Sequence, residues 1–406
     1  MKPKRTSPAI FPAIIISLLL SSCARTALGE TLAEQELRSA NANFTFNLLQ
    51  QLAIEQPASN LFVSPYSAST VLQMVSTGAA GPTLTEMETA LCTTNMSLPT
   101  LDNGNKELGT LINTPNTNFI LSTANAVWYQ EGLALKKDFV NGDRRFFDAK
   151  VQGLDFGTPK AVETANQWAS AETHGKITNI IKSFPPGTRM FLANAVYFLG
   201  NWQNPFDTNL TANAPFNLSG GGQVTVPMMQ QTGTFSYYAN DDFQAVRLPY
   251  RGNDLAMYVL LPAPGLNVDD LLNEMNGDWW QTTLSGSFSP QQGTLEFPRF
   301  DLDFGSSLVP ALQALGMETA FTPAADFSGI ASLSPLYIAD VHQQAIVKVN
   351  ELGTEAAAVT TVTVVTTVVS YPPPFQMIVN RPFLFLIEDE QAQMVLFAGL
   401  VLNPGS

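Results

Sequence analysis

The sequence predicts a mixed α+β fold in one domain, and three patterns carry that expectation. Near the start, Leu37, Phe44, Phe46, Leu48, Leu49 and Leu52 recur at helical spacing among polar residues. Residues 191–199 form a nearly continuous apolar run, as a central strand does. Residues 336–350 alternate strongly, and 383–387 and 394–400 close the chain as two core strands. A length of 406 residues alone would allow two or three domains, but no internal repeat or long linker divides the chain.

The elements follow in order. Residues 31–56 read as a helix and 60–63 as a short strand. Ser64-Pro65-Tyr66-Ser67 then starts a second helix, with a capping hydroxyl and an early proline, that stops at Gly78. After the Gly81-Pro82 break, 83–91 and 98–111 read as helical and 119–130 as a strand. Residues 163–181 read as one helix with Ala165, Trp168, Ala169 and Ile177 on a face. Between 214 and 261 short strands alternate with turns at 220–222, 240–242 and 251–254. A helix over 268–275, a strand over 293–303 and a helix over 305–315 complete the middle of the chain.

Composition limits the function classes. Hydrophobic residues make up 45% and charged residues 13%, enough for a large core and too apolar for disorder. The net charge of -14 argues against nucleic acid or heparin-like polyanions as partners. Residues 1–22 read as a targeting segment: Lys2, Lys4 and Arg5, then an apolar stretch too short for a stable membrane span. Removing it takes those three from the 20 basic residues and none of the 34 acidic ones, which leaves -17. Leu20-Ser21-Ser22-Cys23 resembles a bacterial lipoprotein signal, in which Cys23 is lipidated and becomes the new N-terminus. The alternative is a plain secretory signal cut near Ala24 or Ala27. On the first reading, 23–30 is a lipid-anchored linker, 31–406 is the folded domain, and the protein sits on a membrane surface of the cell envelope; on the second it is secreted. Only Cys92 then remains, a small core residue of a predicted helix with no disulfide partner.

Enzymatic chemistry finds no support. His174 and His342 are the two histidines, far apart in sequence, so no metal-ligand spacing exists and no metal or cofactor is expected. Nothing local places a serine beside either of them, and His174, beside Gly175, reads as an exposed residue at a helix end.

The unusual stretch is 351–370. Glu351-Leu352-Gly353-Thr354-Glu355-Ala356-Ala357-Ala358 holds two glutamates among mostly small residues, and 360–369 is entirely Val and Thr. Branching at Cβ favours strand, so a buried strand is the ordinary reading. Its length, the Pro372-Pro373-Pro374 stop and Gly353 point instead to a segment that is a loop in one state and a strand in another.

Several motifs resemble the serpin family, in order from about residue 31 to 404. They are 60–67, Asn166-Gln167-Trp168 with Thr173-His174-Gly175-Lys176, Asn194-Ala195-Val196-Tyr197-Phe198 with Trp202, the 349–358 stretch, and Asn380-Arg381-Pro382-Phe383 with Leu396-Phe397-Ala398-Gly399. The resemblance implies three β-sheets, eight or nine helices and an exposed reactive-centre loop at about 351–374, with Glu351, Gly353, Thr354, Glu355, Ala356, Ala357 and Ala358 as its hinge. It implies a monomer that inhibits serine, or some cysteine, endopeptidases by suicide: the loop is cleaved, then inserts as a strand into the main sheet with the acylated protease attached.

Strand parity tests whether this loop could insert. One face is Thr354, Ala356, Ala358, Thr360, Val362 and Val364, all small or β-branched and none charged. The other carries its one charge, Glu355, at the end that goes in first. Ladder hydrogen bonds at roughly 0.5–1.5 kcal/mol each and Val burial at ~1.5–3 kcal/mol each make a gain above ~10 kcal/mol reasonable. Family spacing from Glu351 places the cleaved bond at Thr367–Val368, with Val365, Thr366 and Tyr371 as alternatives. Small uncharged anchors imply an elastase-like or subtilisin-like target; cleavage at Tyr371 would imply a chymotrypsin-like one. Ser64, Ser67 and Asn194 match the family's shutter, the polar cluster under the main sheet, and Trp202 matches the tryptophan where the loop first enters. The shutter histidine is replaced here by Gln343, with His342 one residue earlier and so facing the other side. The alternative reading is a non-inhibitory serpin that acts as a binding or chaperone-like surface protein.

Overall fold

The structure, a computed structural model, describes residues 31–113, 116–147, 149–332, 335–354 and 373–405. The readings of the signal segment, Cys23, Glu355, Ala356, Ala357, Ala358, Val365, Thr366, Thr367, Val368 and Tyr371 lie outside these.

Among the described residues there are nine α-helical segments and fifteen strands. The helices are α1 (Leu32–Glu55), α2 (Pro65–Ser76), α3 (Gly81–Ala90), α4 (Leu98–Ile112), α5 (Lys137–Phe146), α6 (Pro159–Glu172), α7 (Val268–Glu274), α8 (Gly277–Trp279) and α9 (Val309–Ala314). The strands are β1 (Leu61–Val63), β2 (Phe119–Gln130), β3 (Lys150–Leu154), β4 (Met190–Asn201), β5 (Ala212–Asn217), β6 (Gln223–Ala239), β7 (Phe243–Pro249) and β8 (Leu255–Pro262), then β9 (Ser289–Pro298), β10 (Phe300–Ser307), β11 (Ile338–Asn350), β12 (Gly353–Thr354), β13 (Phe375–Ile378), β14 (Phe383–Asp389) and β15 (Met394–Val401).

The main sheet has six strands in the order β10-β11-β12-β4-β2-β3. The other strands form a nine-stranded network, β1-β15-β14-β8-β7-β6-β9-β13, with β5 on β6. Two of the three sheets implied by the resemblance are thus continuous here, because the 17-residue β6 pairs with β5, β7 and β9. Between the sheets lies one large core that includes Phe62, Phe198, Phe385 and Phe397.

Local sequence explains the ends that matter. Thr31 and Glu34 close a capping box on α1, with Glu34 N–H donating to Thr31 Oγ1 at 3.2 Å. Ser64 Oγ accepts from Ser67 N–H at 3.2 Å, and Pro65 occupies the first turn of α2. That helix is buried over its whole length, so its polar residues face protein rather than water.

Four expectations need correction. The helix read over 163–181 ends at Glu172, because His174 and Gly175 take positive φ values of 53° and 79°. The strand read over 293–303 is two strands in different sheets, broken between Pro298 and Phe300. Strand β10 runs on to Ser307, so the following helix starts at Val309. Cys92 lies beyond α3 with φ 58° and is half-buried, rather than a core helix residue. Helix α5 and strands β3 and β13 escaped the sequence reading: α5 is ten residues long and packs just Phe139, Val140 and Phe146 on the core.

Candidate functional site

The site is a seam in the main sheet. Strands β11 and β4 pair directly in parallel from Ile338↔Met190 to Ile346↔Tyr197. Above that they part, and β12 lies between them, with Thr354 opposite Val349 and Gly200, and Gly353 opposite Asn350 and Asn201. The chain reverses after β11 through Glu351 and Leu352, so the start of the 351–374 stretch is already a strand of this sheet.

Below the parting, a row of amides crosses the seam. Asn125 on β2 is in register with Asn194 on β4, which is in register with Gln343 on β11. Gln343 Nε2 donates to Asn194 Oδ1 at 2.6 Å and to the Ser64 carbonyl at 3.0 Å, and Gln343 Oε1 accepts from Ser64 N–H at 2.8 Å. Asn194 Nδ2 donates to Ser67 Oγ and to Asn125 Oδ1. Ser67 Oγ donates to Asn125 Oδ1 at 3.2 Å, and Ser64 Oγ donates to the Leu396 carbonyl at 2.7 Å. Ser64, Ser67, Asn194 and Gln343 are all fully buried, so these bonds meet the usual requirement of buried polar groups. The Gln343–Asn194 bond spans β11 and β4, so parting the strands here breaks it.

His342 points away from this cluster. It lies opposite Ala193, its ring 6.5 Å from Phe191, with Nδ1 3.9 Å from Asp340 Oδ2. Burial lowers its pKa against the pull of Asp340.

Above the parting, the hinge is clamped by charge and by rings. Glu351 is 3% exposed, yet Arg299 donates to its Oε1 through Nε at 2.8 Å and through Nη2, and Thr211 Oγ1 donates to the same oxygen. Burial pushes the carboxyl up, but these bonds outweigh it and hold Glu351 below its ordinary range. Trp202 N–H donates to the Leu352 carbonyl at 2.9 Å, and its indole N–H donates to the Asn350 carbonyl at 3.0 Å. Its ring stacks on Tyr250, with centroids 4.6 Å apart at 19°. The Tyr250 hydroxyl shares a hydrogen bond with Thr354 Oγ1 at 2.8 Å. Gly353 has φ 147°, and a Cβ there would meet the Gly200 carbonyl and lie 2.7 Å from Asn201 Cα, so no larger residue fits.

The structure thus brings Glu351, Gly353 and Thr354 together with Trp202, and Ser64 and Ser67 with Asn194 and Gln343. Sequence reasoning missed Asn125, Thr211, Tyr250 and Arg299. Asn125 had one available signal: an amide in an otherwise β-prone strand. Among the described residues no group of three or more His, Cys, Asp or Glu could hold a metal ion.

Comparison with known proteins agrees with this geometry. The family profile described as Serpin (serine protease inhibitor) matches residues 39–404. A serpin-like protein of Thermococcus kodakarensis is 34% identical over 379 residues, covering 91% of this chain and 86% of the relative. The leukocyte elastase inhibitor of Bos taurus is 31% identical over 390 residues, covering 91% and 100%. The crystal structure of human thyroxine-binding globulin complexed with thyroxine superposes with a TM-score of 0.84 at 26% identity, covering 92% of this chain and all of that one. The family is one of protease inhibitors rather than enzymes, and this chain belongs to it: it is a serpin.

Proposed function

We propose that this serpin is a suicide inhibitor of serine, and some cysteine, endopeptidases with small-aliphatic specificity, elastase-like or subtilisin-like. Cleavage near Thr367–Val368 frees the loop to insert between β11 and β4. The supporting observation is that Gly353 and Thr354 already lie between those strands, so insertion extends an existing strand rather than starting one. Extension is easier than nucleation because successive added residues gain ladder bonds to the two flanking strands in alternation. The parity of 354–364 supports the same reading, as does the likeness to the leukocyte elastase inhibitor, whose name states its target.

The chain acts alone, as a monomer, anchored to an envelope membrane through lipidated Cys23 with 23–30 as linker. The charged start, short apolar segment and Leu20-Ser21-Ser22-Cys23 support this, and Cys23→Ala should release the protein from membranes into the soluble fraction. Retention of that variant would remove the anchor.

The inhibitory reading predicts an SDS-stable covalent complex with an elastase-like protease and a large gain in heat stability after loop cleavage. Mass spectrometry of the denatured products identifies the cleaved bond. Thr354→Arg should turn the inhibitor into a substrate, because a charge would have to be buried at the first inserted position. Turnover without complex and without the heat-stability gain would instead favour the non-inhibitory binding or chaperone-like role.

A further inference from the structure

Tyr250 lies outside the loop and outside the shutter, at the end of β7, yet it touches the first inserted side chain. Its ring is held on two sides, stacked on Trp202 and edge-on to Phe198 with centroids 4.9 Å apart at 83°. Gly200 lets it approach so closely: a Cβ there would lie 2.8 Å from both the Tyr250 and Phe198 rings. The ring therefore has one place to be, and its hydroxyl has one partner named in the structure, Thr354 Oγ1 at 2.8 Å. Both residues are fully buried. Burial pushes the Tyr250 phenol up against the opposing pull of the Thr354 bond, so the hydroxyl keeps its proton.

We propose that Tyr250 is a positioning residue for loop insertion: its hydroxyl holds Thr354 in the first inserted position and so sets the register of the strand that follows. This rests on the insertion reading above. The chemistry of the next residue makes register matter. A slip of one residue exchanges the faces of a strand and would bring Glu355, the sole charge from 354 to 365, to the position of Thr354. That carboxylate would be buried against rings and an apolar core. With Thr354 paired, the uncharged face formed by Ala356, Ala358 and Thr360 follows beneath the sheet by parity alone.

The test uses the full chain and four versions of it: wild type, Tyr250→Phe, Thr354→Val, and both together. Each is nicked within 355–372 by thermolysin, a zinc metalloprotease that cleaves through water and leaves no acyl-enzyme to be trapped. Insertion is then followed by intrinsic tryptophan emission and by the heat stability of the product. Tyr250→Phe keeps the ring and its stacking but leaves the Thr354 hydroxyl buried without a partner, and should slow insertion about tenfold. Thr354→Val should do the same by orphaning the phenol. The double variant removes both hydroxyls at similar shape and should recover to within about threefold of wild type. Wild-type speed in Tyr250→Phe, or a double variant as slow as the singles, overturns the positioning role. A wild-type chain that gains no heat stability on nicking overturns the inhibitory reading, and the positioning role with it.

Discussion

The seam is held differently above and below the point where β12 ends. Below, five residues from α2 and its cap, β2, β4 and β11 are joined by neutral amides and hydroxyls, with no ionisable side chain in the network. Above, the hinge is held by an ion pair, two stacked rings and one hydroxyl pair. A neutral buried network resists parting through desolvation: breaking Gln343–Asn194 takes from the buried Asn194 Oδ1 its donor, away from water. A charged clamp with one side in solvent yields more readily, because Arg299, 42% exposed, is partly hydrated already. Gly353 and Thr354 are docked at the yielding end of the seam.

Substitutions can break this contrast. The largest effect is expected from Gln343→Ala, which strands Ser64 N–H and Asn194 Oδ1 in the core and leaves a cavity. It should cost on the order of 3–5 kcal/mol, read as a fall in the thermal midpoint that is the same at pH 5 and pH 8. A midpoint within one degree of wild type would mean that the amide row does not hold the sheet closed. Gly353→Ala comes next. Its Cβ would collide with β4 backbone, so β12 should leave the sheet at a cost of about 2–3 kcal/mol, and proteolysis around the hinge should accelerate while the global midpoint moves little. Unchanged proteolysis would show that the parted strands can adjust.

Arg299→Ala should be smaller, about 1–2 kcal/mol of hinge docking, once solvent screening of its exposed side is allowed for. It also carries the pH signature that the shutter lacks. The folded carboxyl of Glu351 is held below its ordinary 4.5. Its contribution is therefore present above pH 4.5 and is lost as pH falls through the lower folded value. In wild type, hinge protection against hydrogen exchange should weaken only below about pH 4.5; in Arg299→Ala it should already be weak at pH 7. A pH-independent hinge would assign the clamp to the rings alone.

Much of this was legible because it is local. Ser64-Pro65 states a helix start, and the motifs at 60–67, 194–202 and 380–399 state the family. The other half of each cluster was not legible, because it comes from distant chain. Arg299 reads as part of a continuous strand until β9 and β10 prove to belong to different sheets, and that break is what turns its guanidinium toward Glu351. Tyr250 follows the end of β7 just before the 251–254 turn, where a buried hydroxyl is not expected. Asn125 alternates with residues of every degree of exposure, so nothing in its own strand shows that it meets Asn194. Helix α5 escaped because its apolar face is short, with Phe139, Val140 and Phe146 packed on the core and the other positions Gly or polar.

The end of the chain has a consequence of its own. Strand β14 pairs with β8 on one side and β15 on the other, β15 also pairs with β1, and β13 adds to β9. A nick anywhere between 355 and 372 therefore separates two peptides that share one folded interior. The smaller fragment contributes central strands of the nine-stranded network, with Phe383, Phe385 and Phe397 fully buried in it. The severed molecule should keep its mass on a sizing column and shed the fragment only when denatured. A cleaved serpin of this sequence is in effect a two-chain protein, assembled before it was cut.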